Sequence, residues 1–412
     1  MSALARPAAT EDSILGVRPR TVYEPSTVEE AAEVLRESAR SGETLAFVGG
    51  GTDLELGSPP ERLDAVVLTR ELARIVEHAP SDQIVVAEAG TTLETLQAAL
   101  ASHRQRLALD PPESSRKTIG GIVAANAFGP RRARFGSVRD LIIGVSFVRS
   151  DGTAARGGGK VVKNVAGFDL PKLMVGSLGT LGLITTATFR VHPLPEEDST
   201  LLLPALSAAG VRSLVREMRQ AQLEPSAVVA IWREAGRFDV AVRFEGFRAG
   251  VAEQRERLAA SVVAGSGGAC EALDETAARD LWSRHDSVRA TPPIRVKLAA
   301  LATHIEPLEA EVLPDVLAAL EEPGFVWYAT LGVGFLSGRP SDADVASGAL
   351  LAARERLAAL GGTLVLEAAP PSVRSRMNVW GPAPSALSVM RSVKDRLDPQ
   401  RRLAPGRFIG GI

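Results

Sequence analysis

The sequence predicts an α+β protein of two or three domains. Three observations carry this. The chain has 412 residues, against roughly 150 per domain. Its strand-like and helix-like runs follow one another without a regular β-α-β alternation. Finally, Pro193 and Pro195 separate a glycine-punctuated first part from a second part that holds all four tryptophans.

The elements are legible in order. Residues 1–17 read as a flexible lead-in, mixing Glu11 and Asp12 with scattered arginines. Thr27-Val28-Glu29-Glu30 is a capping box, in which the first side chain and the fourth satisfy each other's backbone amides, so a helix follows with Ala31, Val34 and Leu35 on its apolar face. Leu45–Val48 is a short apolar run ending in glycines, which reads as a buried strand. Further strands are expected at 65–69 and 84–88 and a helix at 93–102. Beyond Pro195 a new pattern starts: strand 201–206, helix 208–220, strands 228–233 and 238–244, then a helix to about 263. That order suggests an antiparallel sheet with helices on one face. A last helix near 386–397 ends at Asp398-Pro399.

Charge and cysteine exclude several function classes. Lys plus Arg number 47 and Asp plus Glu 49, a net charge of −2, so nothing draws a nucleic-acid backbone. The single Cys270 rules out a disulfide framework, a Cys-ligated zinc site and an iron–sulfur cluster carried by this chain alone. No run approaches the roughly 18 apolar residues of a membrane span, and Met1–Arg20 has no apolar core of a signal peptide. The expected location is the cytoplasm, with peripheral association at the inner face of the cell membrane through partners as the variant.

Three glycine-rich segments precede residue 190: Val48-Gly49-Gly50-Gly51-Thr52-Asp53, Thr118-Ile119-Gly120-Gly121 behind Asp110-Pro111-Pro112, and Gly176-Ser177-Leu178-Gly179-Thr180-Leu181-Gly182-Leu183-Ile184. Glycines after a strand let the backbone approach an anion and aim amide N–H groups at it. The first lacks the Gly-Lys-Ser/Thr of a Walker A loop and the G-x-G-x-x-G of a dinucleotide fingerprint. Alone, a glycine triplet is more often a tight turn than a ligand site, and each of the other two could be a structural turn; the ordered trio is more specific.

Together with Gly136-Ser137-Val138-Arg139-Asp140 and Lys163-Asn164-Val165-Ala166-Gly167-Phe168-Asp169, these segments resemble the FAD-binding domain of the vanillyl-alcohol oxidase/p-cresol methylhydroxylase (PCMH-type) flavoproteins. The tail, with Trp380-Gly381, Lys394, Asp398-Pro399 and Leu403–Ile412, is similar to one branch, the FAD-binding E subunits of bacterial glycolate oxidases. The resemblance covers about 18–195 and the end of the chain from about 379.

It implies two α+β subdomains holding FAD at 18–195, an α+β cap domain of antiparallel sheet and helices at 196–370, and a segment, 371–412, that returns to the FAD domain. It implies pyrophosphate contacts from Gly49, Gly50, Gly51, Thr52 and Asp53. Ribityl and pyrophosphate contacts would come from Thr118, Gly120 and Gly121. The flavin side would be met by Gly176, Ser177, Thr180, Gly182 and Ile184, with Pro111, Ser137, Val138 and Asp140 lining the cofactor. Lys163 and Asn164 are further candidates. Relatives that tether FAD covalently do so through a His after the glycine turn; Thr52 stands there, so the expected FAD is non-covalent.

The cap departs from a catalytic pattern. Related 2-hydroxy-acid dehydrogenases carry H-x-G-D-G-N-x-H, whose histidines ligate metal and serve proton abstraction. The comparable run, Tyr328 to Gly338, keeps glycines and has no His, Asp or Asn. A general base must titrate within reach of its proton. Arg295 and Lys297 could clamp a carboxylate and His304 sits in the cap, but their spacing fits no known set and no metal site is expected.

The resemblance therefore implies a subunit that binds FAD and acts as accessory or electron-transfer flavin subunit of a glycolate oxidase. A larger catalytic FAD subunit would convert glycolate to glyoxylate, and a Cys-rich iron–sulfur subunit would take electrons onward. The alternatives are a self-sufficient FAD-dependent 2-hydroxy-acid dehydrogenase and a non-catalytic assembly scaffold.

Overall fold

The computed structural model describes residues 5–160, 168–234, 236–266 and 269–412. Lys163 and Asn164 lie outside these. The described residues divide into two compact units: one within Met1–Gly129, Gly136–Leu194 and Pro382–Ile412, the other within Pro130–Phe135 and Pro195–Gly381.

The first unit has two larger sheets and one two-stranded pair, His192–Pro193 with Gln105–Arg106. One runs Ala5–Pro7, Thr21–Tyr23, Ala65–Leu68, Leu45–Val48, the first pair antiparallel and the others parallel. The other is antiparallel and runs Ile75–Ala79, Ile84–Glu88, Leu183–Arg190, Ile142–Val148, Ala154–Gly158. Helix Val28–Ser41 forms as its capping box predicts: Thr27 Oγ1 accepts from Glu30 N, and Glu30 accepts from Thr27 N. Gly42 ends it at φ 75°, a left-handed conformation that glycine adopts without steric cost. Its apolar face, Ala31, Val34 and Leu35, packs on Leu45, Ala65 and Val67.

The lead-in expectation fails for 5–17. Ala5–Pro7 pairs with Thr21–Tyr23, Ile14 is buried against Val22, Ala46 and Val66, and Arg6 bridges Asp12 and Glu24. Composition had suggested polarity; the non-local strand pairing overrides it.

The tail closes an open sheet edge. Leu45 N donates to Arg402 O at 2.8 Å and Ala404 N to Leu45 O at 2.7 Å, so Leu403 lies parallel along Leu45. An edge strand left bare would expose unpaired backbone groups.

The second unit is one eight-stranded antiparallel sheet, in the order Glu271–Ala272, Glu197–Ser207, Arg237–Gly246, Ala227–Trp232, Leu320–Tyr328, Val333–Pro340, Ile294–Ala299, Thr363–Ala368. Helices Ala208–Gln220, Arg248–Ser266 and Ala343–Ala359 cover one face, burying Phe238, Phe244 and Trp327. Helices are not confined to that face, as the sequence had suggested. Side chains alternate along a strand, and helix Glu275–Ala290 meets the opposite set: Trp282 Nε1 donates to Thr200 Oγ1 at 3.0 Å, and His285 Nε2 pairs with Tyr328 Oη at 2.9 Å.

Two expected boundaries also move. The chain leaves the first unit after Leu194 and returns at Pro382 rather than at 371, because Leu366 N donates to Val379 O and holds 371–381 in the second unit. Pro130–Phe135, expected in the first domain, joins the second: Arg131 makes a bidentate pair with buried Glu245, the closest contact 2.8 Å.

Candidate functional site

The three glycine segments meet in the first unit around an open groove. Gly49, Gly50, Gly51, Thr52 and Asp53 form one wall, Thr118, Gly120 and Gly121 another, and Gly179, Gly182 and Ile184 a third. Phe47, Thr69, Ala404 and Arg407 complete the lining.

The local causes are specific. The strand Leu45–Val48 delivers the first segment at its C-terminal end. Segment 116–118 then lies directly on it: a Cβ on Gly50 would stand 1.7 Å from Arg116 O, and one on Gly49 2.1 Å from Thr118 Oγ1. These two glycines are required by close backbone approach, whereas Gly51 needs its φ of +75°. Thr118 also caps helix Ile119–Ala125 by accepting from Gly121 N at 3.3 Å. A residue the sequence reading passed over joins the two walls: buried Lys117 places Nζ 2.6 Å and 2.7 Å from the Asp53 carboxylate oxygens and 3.1 Å from Thr52 Oγ1.

The third segment is fastened from two sides. Gly176 N and Leu178 N donate to Val123 O and Ala124 O, each at 2.9 Å. Thr180 Oγ1 donates to Ser177 O at 2.7 Å, and Thr180 O accepts from Lys394 Nζ at 2.8 Å. Lys394 is buried, and so is its partner Asp398, at 2.7 Å; Nζ also reaches Leu403 O at 2.8 Å. Burial pushes the Lys394 ammonium below its usual range, and the Asp398 charge opposes that shift. The pair thus ties the third segment to the tail that also borders the groove. Arg407, another tail residue, donates to Leu54 O and Leu56 O at 2.9 Å and 2.8 Å.

Ser137, Val138, Asp140 and Pro111 are engaged elsewhere in local structure. Ser137 N and Oγ donate to Asp140 Oδ2 at 2.7 Å and 2.8 Å, while Val138 and Pro111 are buried.

The groove's lining fits an FAD-like ligand: Gly49, Gly50, Gly51, Gly120, Gly121, Gly179 and Gly182 leave its walls without side chains at those points, and Thr52, Thr118 and Arg407 supply polar groups. Asn126 Oδ1 and Ser177 Oγ are enclosed without a hydrogen-bond partner among the described residues, but they lie outside that lining. Neither Lys117 nor Arg407 carries a motif of its own; each acquires meaning only through residues distant in sequence.

The cap candidates do not converge. Lys297 faces Glu367 at 3.7 Å, and Arg295 Nη1 donates to the carbonyls of Ala290 and Pro292. His304 sits in the turn Ala302–His304; its Nδ1 is enclosed and makes no hydrogen bond among the described residues. The run from Tyr328 to Gly338 is the hairpin between two strands of the eight-stranded sheet. Gly332 turns it at φ +70°, and a Cβ on Gly334 would touch the Phe325 and Trp327 rings at 2.8 Å and 2.9 Å. Tyr328 is the one buried polar side chain there beside Ser337; its hydroxyl meets His285 and receives Arg289 Nη1 at 3.0 Å. Among the described residues, no group of three His, Cys, Asp or Glu is placed to hold a metal ion. None of their helices is long and apolar enough to cross a membrane.

Comparison with known proteins agrees with the groove. Residues 19–158 match the family described as FAD binding domain. The chain is 38% identical over 194 residues to glycolate oxidase subunit GlcE of Escherichia coli, covering 46% of this chain and 53% of that protein. It is 31% identical over 221 residues to a D-lactate dehydrogenase of Archaeoglobus fulgidus, covering 53% and 48%. To glycolate oxidase subunit GlcD of Bacillus subtilis it is 32% identical over 212 residues, covering 51% and 45%. The chain thus spans about half the length of these curated relatives. Among solved structures, an alkyldihydroxyacetonephosphate synthase aligns with a TM-score of 0.73 at 16% identity, over 95% of this chain and 78% of that one. That likeness establishes the fold.

Proposed function

We propose, from the match of residues 19–158 to the FAD binding domain family, that this chain is the FAD-holding subunit of a multi-subunit glycolate oxidase. The observation that carries the reading is the glycine-walled groove; the hairpin Tyr328–Gly338 lacks the His, Asp and Asn of the dehydrogenase motif. Bound FAD would supply a two-electron redox centre. The chain's own residues would hold it: Gly49, Gly50, Gly51, Thr52 and Asp53 line the groove, and their backbone amides would meet the pyrophosphate. Thr52 stands where a tethering His would be, and a hydroxyl makes no such ring-nitrogen bond, so FAD is held non-covalently.

Likeness to GlcE and GlcD, both named as glycolate oxidase subunits, supports the subunit role. With one cysteine, Cys270, the chain cannot carry an iron–sulfur cluster alone, so electrons pass to or from a partner. In this reading a larger FAD subunit oxidises glycolate to glyoxylate and a Cys-rich iron–sulfur subunit accepts the electrons. The assembly works in the cytoplasm, with any membrane contact made through partners. The test is anaerobic mixing. Glycolate should leave the flavin of the isolated chain oxidised and bleach it once the larger flavin subunit is added. Bleaching of the isolated chain would instead establish a self-sufficient dehydrogenase.

A further inference from the structure

The groove contains a charge that should oppose its ligand. Asp53, at the end of the first glycine segment, lines the groove and keeps its side chain 33% exposed. A dinucleotide pyrophosphate brings two negative charges, and an uncompensated carboxylate beside it would repel them. We propose that Lys117 is a positioning residue that locks this charge: it cancels the Asp53 carboxylate and holds it away from the incoming anion. The inference rests on the reading that the groove takes FAD.

The lock is built rather than incidental. Lys117 is 4% exposed, and both carboxylate oxygens of Asp53 lie within 2.7 Å of its Nζ. Its backbone is held on both sides, since Lys117 N donates to Glu113 O and Lys117 O accepts from Leu93 N, each at 2.9 Å. The stem therefore leaves a fixed point and spans 64 residues of sequence. The absence of side chains at Gly49 and Gly50 is what lets Arg116–Thr118 approach closely enough for the ammonium to reach. Breaking a buried pair by removing one partner leaves the other charge stranded. Here the stranded charge would face the pyrophosphate directly, so its sign sets the outcome. With the pair intact and neutral, affinity for the anion is left to backbone amides and Arg407.

The test is titration of FAD into the apo-protein by flavin fluorescence at low and high salt, with circular dichroism confirming the fold. Lys117→Met should weaken binding by about tenfold or more, and Lys117→Arg should recover most of it. Asp53→Asn should bind at least as tightly as wild type and lose affinity more steeply with salt, because a lone cation now faces the anion. The double variant Lys117→Met/Asp53→Asn should return to within about threefold of wild type. Wild-type affinity in Lys117→Met overturns the lock alone. So does a double variant no better than Lys117→Met, since a purely structural tie would not be rescued by deleting its second half. If Lys117→Met does not fold, Asp53→Asn decides: binding weakened about tenfold contradicts the proposal. A wild-type chain that takes up no FAD overturns the parent reading, and the lock with it.

Discussion

The two units use glycine for opposite purposes. In the first, Gly49, Gly50 and Gly120 bring three backbone segments together so closely that a Cβ would collide with Arg116, Thr118 or Ala89, and the result is an open groove. In the second, Gly334 and Gly338 lie beneath Phe325, Trp327 and Leu320, and the result is a filled sheet. A glycine run in sequence thus marks close approach, and only its neighbours decide whether a ligand or a ring takes the space. The polar networks differ in the same way. Lys394–Asp398 ties the third glycine segment to the tail and Lys117–Asp53 ties the first to the second, whereas His285, Tyr328 and Arg289 bind one another within the cap.

Substitutions can break this contrast. The largest effect is expected from Lys394→Met, which strands the buried Asp398 carboxylate and releases Thr180 O and Leu403 O. It should cost about 3–5 kcal/mol, read as a lower urea midpoint for the first unit together with loss of flavin. Next comes Gly50→Ala, whose new methyl meets the Arg116 carbonyl, a backbone atom that cannot swing aside. Overpacking of this kind costs about 1–3 kcal/mol, and bound FAD should fall to background. Gly334→Ala presses on two rings instead; a similar destabilisation of about 1–3 kcal/mol should leave the FAD content unchanged. Loss of flavin in Gly334→Ala would erase the distinction between the units.

The smallest effect is a pH slope. Burial, with the nearby Arg190 and Arg106 charges, pushes His192 down to about 4 from 6.5. The unfolded chain then binds the extra proton between those values, so stability is full above pH 6.5 and declines as pH falls towards 4. His192→Asn should flatten that part of the urea-midpoint profile, by an amount reduced by the residue's solvent exposure.

What the sequence made legible was local. The capping box at Thr27–Glu30 and the strands at 45–48 and 84–88 announce themselves through neighbours one to four residues away, and the structure places them there. The three glycine segments were visible for the same reason, and the tail through its resemblance. What stayed hidden depends on distant partners. Strand Ala5–Pro7 needs Thr21–Tyr23, Arg131 needs Glu245, and Lys117 is an ordinary basic residue until Asp53 is beside it. Ser137 and Asp140 show the converse: a motif that resembles a cofactor lining also has a complete local role as a capping box.

The central claim is that the glycine-walled groove of the first unit holds FAD without a covalent bond. It is tested most directly by purifying the chain alone, denaturing it mildly, and measuring flavin in the protein-free filtrate by absorbance. The account predicts a yellow protein that releases one FAD per chain. A colourless protein, or flavin that stays with the denatured chain, would contradict it.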